Sequence, residues 1–182
     1  MQNKFSSEQI ELLQSLIGGT LSYVAGPNLS PNLISDYVII ALESRFIGLQ
    51  GDIYTGNFEG FAETYSTIKI ALADPPEVSK SRDKGNQYFF KKNEKISEVF
   101  LVRDEIRGFQ DGNKSWEYVS DVGVVLQLES GIVAISKLSY HDEMLQVTYL
   151  EDLQLEKIPE TLGRFENDLH SNFTTARSLV RL

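Results

Sequence analysis

The sequence predicts an α+β fold in which antiparallel β-sheet predominates and a helix lies near each terminus. Three observations predict this class: an alternating apolar segment at 122–138, an earlier segment at 35–49 with the same order of residues, and helical spacing of apolar residues near both ends. The chain has 182 residues, which fits one domain, and 41% of them are hydrophobic, enough to form a core.

The strongest strand signal lies between Val122 and Leu138. The even positions from 122 to 128 hold Val or Leu, as a strand with one buried face requires. Ser130-Gly131 then interrupts the apolar run, and glycine supplies the backbone freedom that a tight turn needs. The pattern therefore predicts a β-hairpin with 132–138 as its return strand.

The segment 35–49 resembles 120–138. Each contains Ser-Asp, an apolar strand, Leu-Glu-Ser and a second apolar strand, and a third apolar strand ending in Asp follows each of them. We interpret these segments as two similar three-stranded meanders. An internal duplication explains the resemblance, and so does the frequent occurrence of Ser and Asp at strand entries.

The predicted domain organisation follows from these two meanders. The duplicated units would span about 20–74 and 97–152 within a single domain of residues 1–182, joined by a linker at 75–96. This segment is hydrophilic, and between 74 and 95 it carries six basic and four acidic residues, whereas the chain on both sides of it is acidic. We expect a solvated connector there.

Each terminus carries a helix signal. Ser6 and Gln9 form a capping-box pattern, and the apolar residues that follow predict a helix over 7–17 that ends at the glycine pair 18–19. Pro159 suits the first position of a second helix, and apolar residues continue at three- and four-residue steps to Val180. Arg177 and Arg181 would then lie near the helix C-terminus, where positive charge is favourable.

Composition excludes several classes of function. The absence of cysteine excludes a disulfide scaffold, a thiolate zinc site and a cysteine nucleophile. A net charge of −9 disfavours nucleic-acid binding and favours a basic partner. No apolar run approaches the roughly 20 residues of a membrane-spanning helix, and no apolar signal segment follows Met1. We therefore expect a cytoplasmic protein that contacts neither nucleic acid nor membrane.

The segment 51–65 is the first candidate binding site. It contains three glycines and four aromatic residues: Tyr54, Phe58, Phe61 and Tyr65. Glycine beside aromatic side chains is typical of a mobile binding loop on a rigid scaffold. The alternative is a longer hairpin whose aromatic residues pack back on the core.

The remaining site candidates are polar. His141 and Asp142 lie in a Tyr-His-Asp-Glu segment that could form part of a catalytic or metal site, although Asp is also ordinary turn chemistry. Asp36 and Asp121 occupy matched positions in the two meanders, so a pseudo-twofold arrangement would let their carboxylates share a cation or a proton. The alternative is that both mark strand entries. No phosphate-loop, dinucleotide or nucleophile-elbow motif is present, and we assign no catalytic residue, metal or cofactor.

These observations favour a non-enzymatic protein-binding module, for example an acidic inhibitor or immunity-type protein that neutralises a basic partner. The alternative is a small-molecule-binding or enzymatic domain with a pocket between the two halves, lined by His141 or by the repeated carboxylates. A homo-oligomer built by pairing of exposed strand edges is a third hypothesis.

Overall fold

A computed structural model of the chain describes residues 1–27, 29, 33–58, 61–75, 86–90, 93–158 and 172–182. Within these ranges the helical elements are α1 (Ser7–Gln14) and a short 3₁₀ helix (Leu155–Lys157). The strands are β1 (Gln2–Asn3), β2 (Thr20–Pro27), β3 (Ile34–Ser35), β4 (Tyr37–Leu42), β5 (Phe46–Phe58), β6 (Phe61–Leu72), β7 (Asn86–Phe90), β8 (Glu94–Lys95), β9 (Glu98–Gln110), β10 (Asn113–Gln127), β11 (Ile132–Lys137), β12 (Leu145–Leu150) and β13 (Asn172–Arg181).

These strands form two sheets. Sheet A has the order β13-β9-β10-β11-β12-β3, with β1 running parallel to β10 beside it. Sheet B has the order β6-β5-β4-β2-β7, and β8 also pairs with β2. Every pairing except that of β1 is antiparallel. The prediction of a predominantly antiparallel protein is therefore confirmed.

The main hydrophobic core combines side chains of both sheets. Val24, Ile40 and Leu49 of sheet B belong to the same buried cluster as Leu126 and Ile135 of sheet A. Burial of each sheet's apolar face therefore depends on the other sheet. This arrangement is the usual solution for sheets that are apolar on one face.

The central hairpin lies between two apolar clusters. Val133 and Ile135 of β11 belong to the main core, whereas the alternate residues Ile132 and Ala134 belong to a second cluster that includes Ile158. Because successive side chains of a strand point to opposite faces, both faces of β11 are covered. The sequence predicted the hairpin correctly, but predicted only one buried face.

Each predicted meander corresponds to three consecutive antiparallel strands. β4, β5 and β6 are neighbours in sheet B, and β10, β11 and β12 are neighbours in sheet A. The turn between β10 and β11 contains Gly131 at a φ of 149°, a value that favours glycine. The duplication itself stays a prediction.

The predicted N-terminal helix is present with its capping box. Gln9 N donates to Ser6 Oγ at 3.3 Å, and Ser6 N donates to Gln9 Oε1 at 2.9 Å. The helix ends at Gln14, earlier than predicted, and turns lead to Gly18 at a φ of 82°. In the described part of the chain, no helix combines the length and apolar character needed to cross a membrane.

The predicted C-terminal helix is wrong over the residues that the structure describes. Residues 159–171 lie outside the described ranges, and Asn172–Arg181 is strand β13, which pairs with β9 over ten rows. Arg177 therefore does not sit at a helix C-terminus. Its guanidinium binds both carboxylate oxygens of Asp104, so strand pairing and a buried ion pair outweigh the helical spacing of the apolar residues.

Two strands lie inside the segment 75–96, which the sequence predicted to be a linker. β7 and β8 both pair with β2, so these residues belong to sheet B. β7 contains the sequence Tyr88-Phe89-Phe90, and aromatic residues favour strands. The remainder, at 76–85 and 91–92, lies outside the described residues.

Candidate functional site

The β5–β6 hairpin extends beyond sheet B as a two-stranded arm. The ladder between β4 and β5 ends at Gln50, whereas β5 continues to pair with β6 up to Phe58 and Phe61. We call residues 51–58 and 61–68 the hairpin arm. An isolated two-stranded hairpin is only marginally stable in water, so the arm needs support from outside its own ladder.

A row of tyrosine rings runs from the arm into the molecule. Tyr54 and Tyr65 are cross-strand partners with ring centroids 5.3 Å apart. Tyr54 is 55% exposed, whereas Tyr65 is 8% exposed and contacts Tyr118 edge-on at 5.9 Å. The exposed ring of Tyr54 is therefore held in place by a buried ring, and burial raises the pKa of the Tyr65 phenol.

The inner end of this row lies against sheet A. Tyr118 and Tyr140 meet edge-to-face at 5.2 Å, and Tyr140 meets the ring of His141 at 5.3 Å. Edge-to-face pairs at these separations are favourable beyond the area they bury. Tyr65, Tyr118 and Tyr140 thus link the arm to β10 and to the loop at 138–144.

Polar contacts cover the free edge of β6. Ser66 N donates to Tyr140 O at 2.7 Å, and Ser66 Oγ donates to Ser139 O at 2.9 Å. Thr64 O accepts from the Nδ1–H of His141 at 2.7 Å. We call this contact between β6 and the loop at 138–144 the seam. It satisfies strand-edge groups that would otherwise be free to pair with another chain.

Lys137, the last residue of β11, lies beneath the seam. Its side chain is fully buried, and Nζ donates to Ser66 O at 2.7 Å and to Ser120 Oγ at 3.3 Å. Nζ also lies 5.6 Å from the centroid of the Tyr140 ring. Burial lowers the pKa of Lys137 to about 8, against the opposing effect of the Asp104 and Asp121 carboxylates.

Both neighbouring carboxylates already have arginine partners. Asp121 Oδ1 accepts from Arg103 Nε at 2.7 Å, and its other oxygen accepts from Phe5 N at 2.9 Å. Asp104 accepts from Arg177 at 2.6 and 2.8 Å. The two negative charges of these acids are balanced by the two arginines, so the Lys137 ammonium is an additional buried positive charge. No carboxylate of the described residues contacts its Nζ.

The structure gathers some of the residues selected from the sequence. Tyr54, Tyr65 and His141 belong to the arm and the seam. Asp142 Oδ1 accepts from Met144 N at 3.0 Å, a hydrogen bond of the kind that Asp side chains commonly make in turns. No group of three or more metal-binding side chains is found in the described ranges.

The other four selected residues are placed differently. Phe58 and Phe61 form the last paired row of the arm, and their side chains lie outside the described part of the structure. Asp36 is exposed in the bend before β4, whereas Asp121 is buried beside Arg103. No contact joins Asp36 and Asp121 among the described residues, so the structure does not show the predicted pair of carboxylates.

Sequence reasoning missed Lys137. The sequence did contain a signal for its burial. Lys137 lies on the same face of the strand as Val133 and Ile135, which are core residues. A lysine on that face at the end of an apolar strand points toward the interior. The cross-chain contacts with Ser66 and Ser120 could not be read from sequence spacing.

A separate open cleft of about 440 Å³ lies at the other end of sheet B, lined by Gly19, Thr20, Leu42, Glu43, Ser44, Arg45 and Leu72. Arg45 there donates to Ser15 O. None of the residues selected from the sequence lines this cleft. We therefore centre the candidate site on the arm and the seam.

Comparison of the chain with protein-family models, with curated proteins and with solved structures found no match in any of the three.

Proposed function

We propose that the protein is a non-enzymatic, cytoplasmic protein-binding module that binds a basic partner through the hairpin arm, as an acidic inhibitor or immunity-type protein does. One observation carries the proposal: Tyr54 is 55% exposed on a projecting hairpin while its ring packs against the buried Tyr65. The side chain is both available to a partner and held in one position.

A preorganised tyrosine is suited to protein binding. Interface residues that contribute most to affinity are enriched in Tyr, Trp and Arg, and a tyrosine loses little conformational entropy because it has only two side-chain torsions. The contact with Tyr65 reduces that loss further. Ile53, the neighbouring residue, is 43% exposed and adds apolar area on the opposite face of the strand.

Charge favours a basic partner at this place. The segment 51–65 contains three acidic residues and no basic residue, and the whole chain carries −9. A partner Arg or Lys stacked on the Tyr54 ring would gain a cation–π contact of about 0.5–2 kcal/mol. The net charge would also speed association, and this effect weakens as salt is added.

The test uses the tagged protein as bait in lysate of its source cells, at low and high ionic strength, with mass spectrometry of retained proteins. Tyr54→Ala is compared with Leu72→Ala, a truncation at the far end of β6 where the side chain is 65% exposed. We expect one stoichiometric basic protein that is retained by wild type and by Leu72→Ala, is lost from Tyr54→Ala and is weakened by salt. Equal retention by both variants would overturn the assignment of the arm.

A second candidate function has its own support. Lys137 is a buried amine, and the hydroxyl of the nearby Tyr118 is buried with no hydrogen-bond partner among the described residues. Such groups at the boundary between two halves are typical of a small-molecule-binding or enzymatic site. If the bait retains no protein, a ligand screen by thermal shift with wild type and a His141→Ala/Asp142→Ala variant tests this candidate. A thermal shift lost in the folded double variant would support it.

Homo-oligomerisation is a third outcome, which light scattering of the purified protein would reveal. A stable dimer or larger assembly that Tyr54→Ala dissociates would mean that the arm binds a second copy of this chain rather than a basic partner.

A further inference from the structure

Lys137 connects the two sheets at the seam. Its Nζ donates to Ser66 O on β6 of sheet B and to Ser120 Oγ on β10 of sheet A. The side chain itself belongs to β11, so three strands meet at one amine. Ser66 pairs with Ile53, two rows from the base of the hairpin arm at Gly51 and Ile68 and next to Tyr65 in the chain.

We propose that Lys137 is a proton-linked clasp: its amine ties the edge of β6 to sheet A, and loss of its proton tightens the attachment of the arm. This inference concerns the fold and does not depend on the proposed binding function.

Loss of the proton should tighten this attachment because no carboxylate is paired with the positive charge of the ammonium. It is held by a carbonyl, a hydroxyl and an aromatic face, none of which carries a full negative charge. Burying a cation without a paired carboxylate is unfavourable, and opening the seam would return it to water. The neutral amine keeps hydrogen-bond donors for Ser66 O and Ser120 Oγ without that desolvation cost.

The surrounding groups do not replace the missing counter-charge. Asp104 on β9 and Asp121 on β10 attract the ammonium, but each is already paired with an arginine. The Met1 amino group near β10 donates to Glu117 O. The other titratable groups that face Lys137 or the rings beside it are phenols and an imidazole, on β6, β10 and the loop at 138–144: Tyr65, Tyr118, Tyr140 and His141.

The sign of the pH dependence follows from the pKa of Lys137, which is about 8 in the folded protein against 10.5 for the free side chain. Between these values the unfolded chain binds the proton and the folded protein does not, so stability rises with pH across that interval. Below about pH 8 Lys137 carries the proton in both the folded and the unfolded state. Its contribution to the free energy of unfolding is then constant and at its least favourable value. The equilibrium constant for folding should rise by up to about two orders of magnitude from pH 8 to 10.5.

The first measurement needs no variant. NMR of wild type between about pH 7 and 11 follows the Lys137 side chain and the amide of Ser66, which donates to Tyr140 O across the seam. We expect both to titrate together with a midpoint near 8. A Lys137 midpoint near its ordinary 10.5, or a Ser66 amide that does not respond, would overturn the proposal.

Urea unfolding over the same pH range compares Lys137→Met and Lys137→Arg with wild type. Ser66 O and Ser120 Oγ both retain a donor in Lys137→Met, because Asn3 Nδ2 also reaches them at 3.2 and 3.4 Å. We expect Lys137→Met to unfold at higher urea than wild type at pH 7, and only wild type to gain stability above pH 8. Lys137→Arg should stay flat because a guanidinium keeps its proton. A less stable Lys137→Met at pH 7 together with a flat wild type would contradict the clasp.

Discussion

The central hairpin and the hairpin arm are both antiparallel pairs of strands, but different forces hold them. β10 and β11 lie between two apolar clusters, so their stability comes from burial on both faces. The arm beyond Gln50 has one paired neighbour, and its attachment comes from tyrosine contacts and from polar groups at the edge of β6. Apolar packing therefore holds the first hairpin, whereas the second depends on a few specific contacts.

The largest effect should come from truncating the central hairpin. Leu126→Ala removes a fully buried side chain from the main core, and such truncations cost about 2–5 kcal/mol. Ile53→Ala is the matched change in the arm, where the side chain is 43% exposed, and we expect less than about 1 kcal/mol. Urea unfolding of both variants measures the difference, and equal losses would contradict the contrast between the two hairpins.

A smaller effect should follow from removing a buried charge on sheet A. Asp104→Asn leaves the Arg177 guanidinium, which is 14% exposed, without its carboxylate, although the amide keeps one acceptor oxygen, and should cost about 2–3 kcal/mol. Glu98→Gln is the control because its partner Arg181 is 70% exposed, so it should cost less than about 1 kcal/mol. Thermal unfolding at neutral pH compares the two variants. If Glu98→Gln loses as much stability as Asp104→Asn, the buried pair is not what holds β13 in place.

The smallest of the three effects should come from the base of the arm. A methyl group at Gly51 would collide with Glu143 O, so Gly51→Ala must displace the loop at 138–144 and should cost about 1–3 kcal/mol. In Gly56→Ala the atoms nearest to the new methyl group would belong to the rings of Tyr54 and Tyr65, at 3.0 Å or more. We expect the first variant to lose more stability in urea than the second, and the reverse order would show that the loop does not support the arm.

The sequence predicted the parts of the fold that local patterns determine. Strand alternation located β10 and β11, and the Ser6–Gln9 box located the start of α1, because both signals depend on neighbouring residues. For β13 the local pattern misleads, because its apolar spacing fits a helical stripe and predicts a helix. The pairing of β13 with β9 and the Arg177–Asp104 contact join residues that are more than 60 positions apart, and no local pattern reports such contacts.

In the candidate site, too, the sequence indicated residue types but not the contacts between distant parts of the chain. Tyr54, Tyr65 and His141 were selected for their residue type, and the structure places them along one row of rings. The matched positions of Asp36 and Asp121 did not bring them together, because Asp121 enters β10 as a buried partner of Arg103 while Asp36 stays in an exposed bend. Lys137 was missed because its role arises from strands distant in sequence.

Native-state hydrogen exchange of wild type tests most directly whether the two hairpins are held by different forces. The comparison is between the amides of 53–57 in the arm and those of 124–127 in β10. We predict that the β10 amides exchange only through global unfolding and become steeply less protected as urea is added, whereas the arm amides exchange through a smaller local opening with little urea dependence. Equal protection and equal urea dependence in the two sets would contradict it.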